Sequence, residues 1–289
     1  MMSEHVTIGE TDRRHDPIPD PAFDAGGDGY VATPDPVLRV SGLSHRFGER
    51  LALNDVSLEL HPAEVVAVVG ESGSGKSTLL NVLAGALPIQ AGRVDYLARD
   101  GALLDLTTLP ETSRRALNRT EWGFVRQNPD DGLRMSVSAG ANVCERLMDL
   151  GWRHFGRLNE AALDWMRRVE LDTARLNDPP RQFSGGMKQR LQIARNLVSS
   201  PRLLLMDEPT SGLDVSVQAR LLDLLRVLVS RLGVSVIVVT HDLGVARLLA
   251  HRTIVMRAGR IVEAGLTDRV LDDPEHPYTQ LLVSSVLQG

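Results

Sequence analysis

Two hydrophobic patterns interleave along the chain from residue 37 onward: short apolar runs, and longer stretches in which apolar residues return with helical spacing. Residues 65–69, 203–206 and 234–239 are runs of strand length, the pattern of strands covered on both faces. Residues 37–40 and 56–60 alternate apolar and polar positions between turn residues, which predicts a small antiparallel sheet ahead of the first buried strand. Residues 92–96 and 122–126 are further strand candidates, and residues 253–263 carry a hairpin pattern. Helical spacing predicts helices over residues 79–84, 188–199, 215–232, 266–273 and 278–287. It also fills residues 137–171, through Val137, Ala141, Cys144, Leu147 and Met148, then Ala161, Leu163, Met166 and Val169. This block predicts a mostly helical subdomain, at about residues 128–184, inserted into an α/β core.

Residues 1–36 have no such periodicity. They combine Pro17, Pro19, Pro21, Pro34 and Pro36 with Gly26, Gly27 and Gly29, and carry eight acids against Arg13 and Arg14, a charge of -6. A disordered acidic extension is expected, because such a segment buries too little apolar surface to offset the entropy of ordering. A partner-binding tail is the functional alternative.

The run at residues 65–69 leads into Gly70-Glu71-Ser72-Gly73-Ser74-Gly75-Lys76-Ser77-Thr78, and a helical pattern follows. This is G-x-x-x-x-G-K-[ST] in its required strand, loop and helix context. Glycines let successive N–H groups turn toward one anion, and the helix N-terminus adds partial positive charge. Lys76 and the Ser77 hydroxyl are placed to reach the β/γ-phosphates and Mg²⁺. The basic residues are almost all arginine, and Lys76 and Lys188 are the only lysines. A compact ammonium suits the space between phosphate oxygens better than a planar guanidinium.

Composition adds exclusions. The 289 residues suffice for a sizeable core, and 43% hydrophobic with 24% charged residues is ordinary for a soluble globular protein. No apolar stretch has the length of a membrane span, since residues 221–240 are broken by Asp223, Arg226 and Arg231. The N-terminus lacks the order of a secretory signal, and Cys144 is the only cysteine, so a reducing cytoplasm is the expected compartment. The net charge of -5 becomes +1 once residues 1–36 are set aside, without the concentrated basic footprint of a nucleic-acid binder.

Further candidate chemistry is spaced along the chain. Asp207 and Glu208 end a buried strand, where open α/β sheets present their ligand crevice. Beside a phosphate loop, Asp207 suits a Mg²⁺ shell and Glu208 a base or water-orienting group. His241 ends another strand of the same type, and is either a γ-phosphate sensor or a structural histidine. Ser184-Gly185-Gly186 precede a helix and form either a second anion site or an ordinary N-cap. Phe47, a lone aromatic in an expected loop, is either a packing residue or a platform for a nucleobase.

Taken in order, the loop at residues 70–78, Gln127 after a strand, Ser184-Gly185-Gly186, Asp207-Glu208 with Ser211-Gly212-Leu213-Asp214, and His241 resemble the ATP-binding cassette (ABC) ATPase family. The likeness covers residues 37–289 and implies an α/β fold: a RecA-like P-loop NTPase core with an antiparallel β subdomain and an inserted helical subdomain. It implies ATP and Mg²⁺ as ligands and ATP hydrolysis as the reaction. By this resemblance Phe47 matches the adenine-stacking aromatic, Gln127 the residue that links Mg²⁺ and the γ-phosphate to partner contacts, and His241 the switch histidine. Ser184, Gly185 and Gly186 match the signature that contacts nucleotide on the opposite subunit, and Asp214 the acid at that interface, which implies a head-to-tail homodimer. Met187 departs from the pattern, since many members carry glutamine there, and methionine cannot make that amide's hydrogen bonds.

Residues 119–134, 218–226 and 265–289 resemble a narrower group, the ATPase subunits of carbon–phosphorus lyase systems for phosphonate breakdown. That implies soluble lyase core subunits as partners. The acidic extension departs from the shorter start of that group. The runner-up is the ATPase of a peptide, metal or phosphonate importer, with a membrane permease as partner; His276-Pro277-Tyr278-Thr279 occurs in that branch too. A non-catalytic nucleotide-sensing scaffold is disfavoured because Glu208 and His241 are both present.

Overall fold

The computed structural model describes residues 35–287. The expected acidic extension therefore lies outside the described residues, apart from Asp35 and Pro36. The chain runs β1 (Leu38–Phe47), β2 (Arg50–Leu60), β3 (Val65–Val69), α1 (Lys76–Leu83), β4 (Ala91–Leu97), β5 (Leu103–Asp105), α2 (Glu111–Thr120) and β6 (Trp122–Val125). It continues through α3 (Ala139–Asp149), α4 (Phe155–Arg168), α5 (Gly185–Leu197), β7 (Leu203–Asp207), α6 (Val215–Leu232), β8 (Ser235–Val239) and α7 (Leu243–Leu249). It ends with β9 (Arg252–Arg257), β10 (Arg260–Leu266), α8 (Thr267–Asp272) and α9 (Pro277–Leu287).

The strands form two sheets. The first is antiparallel, in the order β2-β1-β4-β5. The second has the order β10-β9-β3-β8-β7-β6, parallel from β9 to β6 with β10 antiparallel at one edge. Because β3 is buried on both faces, its side chains alternate between two cores. Val65, Ala67 and Val69 join the core under α3 to α7, while Val66 and Val68 face α1 and the first sheet. Each fully buried Val or Leu there contributes roughly 1.5–3 kcal/mol. The parallel sheet is thus held between layers, and its C-terminal strand ends are left to carry chemistry.

Two local expectations are corrected. The strands expected at residues 37–40 and 56–60 are the ends of one long hairpin, and Phe47 ends β1 opposite Arg50 instead of lying in a loop. Register shifts between Val40 and Leu43, Leu43 and His45, and His45 and Arg46 break the alternation on which the strand reading relied. Helix α2 had no counterpart in the pattern, because Leu117 is its only buried residue and leaves no apolar stripe to read.

Candidate functional site

The loop after β3 is shaped by contacts only glycine permits. Gly70, Gly73 and Gly75 have φ values of 146°, 83° and 108°. A Cβ on Gly70 would stand 2.2 Å from Met256 O, and one on Gly75 2.6 Å from Ala52 O. The loop is therefore pressed between the β9 end and β2, and turns into α1 through Gly75. Lys76, 6% exposed, folds back over it: Nζ donates to Gly70 O at 2.7 Å and Glu71 O at 2.9 Å, and lies 3.4 Å from Ser74 Oγ.

Beside it, β8 pairs with β3 and β7 with β8, all parallel, so the three strands end at the same edge of the sheet. Ser77 Oγ donates to Asp207 Oδ1 at 3.3 Å. Glu208 follows with φ 43°, a left-handed conformation that costs a non-glycine residue energy and that accumulates at functional sites. Its backbone N–H bonds Val239 O at 2.9 Å, which fixes the carboxylate at the end of β8. There His241 Nδ1 stands 2.8 Å from Glu208 Oε1, and Thr240 Oγ1 donates to Oε2 at 3.3 Å. Both carboxylate oxygens are thus engaged.

The electrostatics carry a sign. Desolvation lowers the pKa of Lys76 despite the opposing pull of Glu208, Asp207 and Glu71. Desolvation, with Glu208 adding to it, raises that of Asp207 against the Ser77 hydrogen bond and the charge of Lys76. Each group is pushed toward its neutral form. A polyanion at Lys76 and a cation at Asp207 would reverse both shifts. Ser77 Oγ and Asp207 Oδ1 are hard oxygen donors on the two sides of the cleft, the few protein ligands that Mg²⁺ takes alongside phosphate oxygens and water.

Gln127 and Ser211 share a surface depression with Gly185, and no residue of the phosphate loop lines it. Gln127 follows β6, the neighbour of β7, and its Nε2 donates to Ser211 Oγ at 3.3 Å. Ser184 is the N-cap of α5, its Oγ accepting from Met187 N at 3.4 Å. Gly185 and Gly186 form the first turn of that helix, and a Cβ on Gly186 would meet Val217 Cγ1 at 2.7 Å. Asp214 is the N-cap of α6, held below the usual carboxylate range by hydrogen bonds from Val217 N–H and Ser216. None of Ser184, Gly185, Gly186 or Asp214 bonds a residue of the phosphate loop within the chain. Phe47 is 49% exposed at the tip of the β1–β2 hairpin and packs edge-on against His45 at 4.8 Å. The hairpin tip reaches the loop through Arg50, whose Nη2 donates to Gly73 O at 3.3 Å. Met187 is partly buried, its Sδ 3.6 Å from Arg175 Nη1.

Sequence reading missed the residues that attach α5 to this centre. Gln192 Oε1 accepts from Arg126 N at 2.6 Å and its Nε2 donates to Arg126 O at 3.2 Å, one residue before Gln127. Asn196 Oδ1 accepts from Phe124 N and from Arg146 Nη2, each at 2.9 Å. The open edge of β6 is thereby paired with amides spaced one helical turn apart. The available signal was three amides, Gln189, Gln192 and Asn196, on an otherwise apolar helix face, which pattern reading treats as noise.

A family model described as ABC transporter matches residues 53–211. The chain is 58% identical over 254 residues to the phosphonates utilization ATP-binding protein PhnK of Escherichia coli (strain K12), covering 88% of this chain and 99% of that one. It is 38% identical over 262 residues to a peptide import ATP-binding protein of Brucella melitensis, covering 87% and 78%. Among solved structures, the dimeric post-hydrolysis state of the ATP-binding cassette MJ0796 bound to ADP and Pi superposes with a TM-score of 0.70 at 30% identity, covering 80% of this chain and 98% of that one. The chain belongs to the ABC transporter family of ATP-binding cassettes, and it is an ATPase.

Proposed function

We propose that this ATPase serves a carbon–phosphorus lyase system in phosphonate catabolism, working in the cytoplasm as a head-to-tail homodimer on soluble lyase core subunits. The observation that carries the reading is the 58% identity to the phosphonates utilization protein over 99% of that protein's length. Within the described residues no helix is long and apolar enough to cross a membrane, so a membrane location would need a partner or a segment outside them. A cleft of about 500 Å³ beside Gln127, lined by Arg126, Asp131, Arg134, Arg146 and Arg195, is the surface offered to that partner.

In this reading the N–H groups of residues 70–78, with Lys76 and Thr78, cradle the phosphates of ATP, and Phe47 stacks on adenine. Ser77, Asp207 and Gln127 hold Mg²⁺, which when bound neutralises charge on the phosphate oxygens. Glu208 takes the proton of the attacking water, and His241 holds the carboxylate until its own contact is needed at the γ-phosphate. Ser184, Gly185, Gly186 and Asp214 complete the partner's nucleotide site, which accounts for their separation from the loop of their own chain. Purification from native lysate tests the assignment of partners. Lyase core subunits are expected to co-purify from the soluble fraction; recovery with a permease in the membrane fraction would transfer the protein to the importer branch.

A further inference from the structure

The motif His276-Pro277-Tyr278-Thr279 has no part in the site as described, yet Tyr278 touches it. Tyr278 lies in the first turn of α9 and is 7% exposed. Its Oη accepts a hydrogen bond from the Glu71 backbone N–H at 3.1 Å, across 207 positions of sequence. That N–H belongs to the peptide joining Gly70 to Glu71, and the carbonyl of the same peptide, Gly70 O, accepts from Lys76 Nζ at 2.7 Å. One peptide unit at the entrance of the phosphate loop is therefore held from both ends, by a phenol on its N–H and by the ammonium on its oxygen.

The tyrosine is itself fixed. The Arg257 guanidinium lies over its ring, 4.8 Å from the centroid. The turn before it is tied down by Glu263, whose carboxylate accepts the N–H groups of Glu275 at 2.9 Å and His276 at 3.1 Å. Arg257 follows Met256, whose carbonyl is the atom that leaves no room for a Cβ on Gly70. The end of β9 thus supports both the loop and the residue that holds it.

We propose that Tyr278 is a positioning residue of the phosphate loop, a brace from the C-terminal helix that keeps the Gly70–Glu71 peptide turned so that its carbonyl seats Lys76. A peptide beside glycine rotates easily, because glycine tolerates most backbone conformations. Without the phenol, the loop samples orientations in which the carbonyl no longer faces the ammonium. Nucleotide then has to select the competent orientation from a mixture, and its apparent affinity falls by the fraction lost. Asp207, Glu208 and His241 do not touch Tyr278, so the chemical step keeps its groups. The inference rests on the reading of residues 70–78 as the nucleotide cradle.

Tyr278→Phe removes the hydroxyl and keeps the ring under Arg257. The Kd and KM for MgATP are expected to rise roughly three- to tenfold, the effect of losing one partly buried hydrogen bond. The kcat is expected to move less than about twofold, as for an interaction present equally in ground and transition states. Because the hydrogen bond does not depend on nucleotide, the Tm of the nucleotide-free protein should fall by no more than about 5 °C, the worth of one such bond. An unchanged Kd, or a fall in kcat without a change in Kd, overturns the proposal. So does a loss of affinity accompanied by a fall in the Tm of the nucleotide-free protein well beyond about 5 °C, because the hydroxyl would then serve the packing of α9. Lys76→Ala, measured in parallel, separates the two readings. If it weakens MgATP binding while Tyr278→Phe does not, only the brace fails; if it too binds MgATP like the wild type, the cradle reading fails.

Discussion

Lys76 and Asp207 face each other across a cleft that desolvates both, and in each case burial outweighs the attraction of the opposite charge. For Asp207 the consequence can be worked out by sign. Its folded-state pKa lies above its unfolded value of about 3.9, so folding opposes ionisation. The penalty is fully present at pH above the folded value and disappears as pH falls through it. Asp207→Asn keeps an oxygen acceptor for Ser77 Oγ and removes the charge. It is expected to raise the Tm of the nucleotide-free protein by a few degrees at pH 7.5, as measured by calorimetry. The gain should shrink as pH falls through the raised folded-state value toward the ordinary carboxylate range, where the wild-type carboxyl takes up its proton. ATP hydrolysis should be lost in the same variant. A Tm below that of the wild type at pH 7.5 would show that the charge stabilises the empty site.

At the scale of elements, α5 does two things at once. Its N-terminus presents Ser184, Gly185 and Gly186, and its inward face covers the β6 edge through Gln192 and Asn196. Gln192 is fully buried, and the chain wraps so tightly over it that a Cβ on Gly132 would stand 2.3 Å from its Oε1. Gln192→Leu leaves the N–H and the carbonyl of Arg126 and the Oε1 of Gln189 without their partner. Unsatisfied buried polar groups cost about 1–3 kcal/mol each, so with partial relaxation the loss of stability should be about 2–4 kcal/mol, or roughly 5–10 °C in Tm. Because Gln127 follows directly on Arg126, ATPase activity should fall further than the fraction unfolded explains. Full activity at a wild-type Tm would mean that the β6 edge is satisfied without α5.

For the whole molecule, the informative fact is what the single chain does not bring together. Ser184 and Asp214 are helix N-caps, Gly185 and Gly186 open α5, and none of the four hydrogen-bonds a residue of the phosphate loop, which the proposed sharing of nucleotide between two chains would explain. Glu208→Gln tests this arrangement together with the chemistry. The amide is nearly isosteric, keeps an acceptor for Thr240 Oγ1, and removes a negative charge that repels the γ-phosphate. Turnover should fall by about 10²- to 10⁴-fold, the usual worth of a positioned general base. ATP binding should be retained or tightened, and a dimer dependent on MgATP should accumulate in analytical ultracentrifugation. Hydrolysis at the wild-type rate would remove Glu208 from catalysis. Loss of hydrolysis with no such dimer would tie the sandwich to the partner complex or abolish it.

The local spacing of residues was enough to locate the glycine loop after β3, the acid pair at the end of β7 and the histidine after β8, because glycine conformations, strand burial and charge at strand ends are properties of short segments. The parallel core strands were legible for the same reason: a strand covered on both faces is apolar at every position. The β1–β2 hairpin was legible only at its ends, since the bulges between them reset the alternation. Helix α2 left no pattern, having one buried residue. Tertiary structure alone decided which distant groups meet: Gln192 and Asn196 on the β6 edge, Thr240 and His241 on the two oxygens of Glu208, and Tyr278 on the Glu71 peptide. These contacts join segments tens to hundreds of residues apart. The partners of Gln192, Asn196 and Tyr278 are backbone groups present at every position, and the meeting of Thr240 and His241 with the Glu208 carboxylate depends on β7 and β8 lying side by side, so no residue type in the sequence marks these contacts in advance.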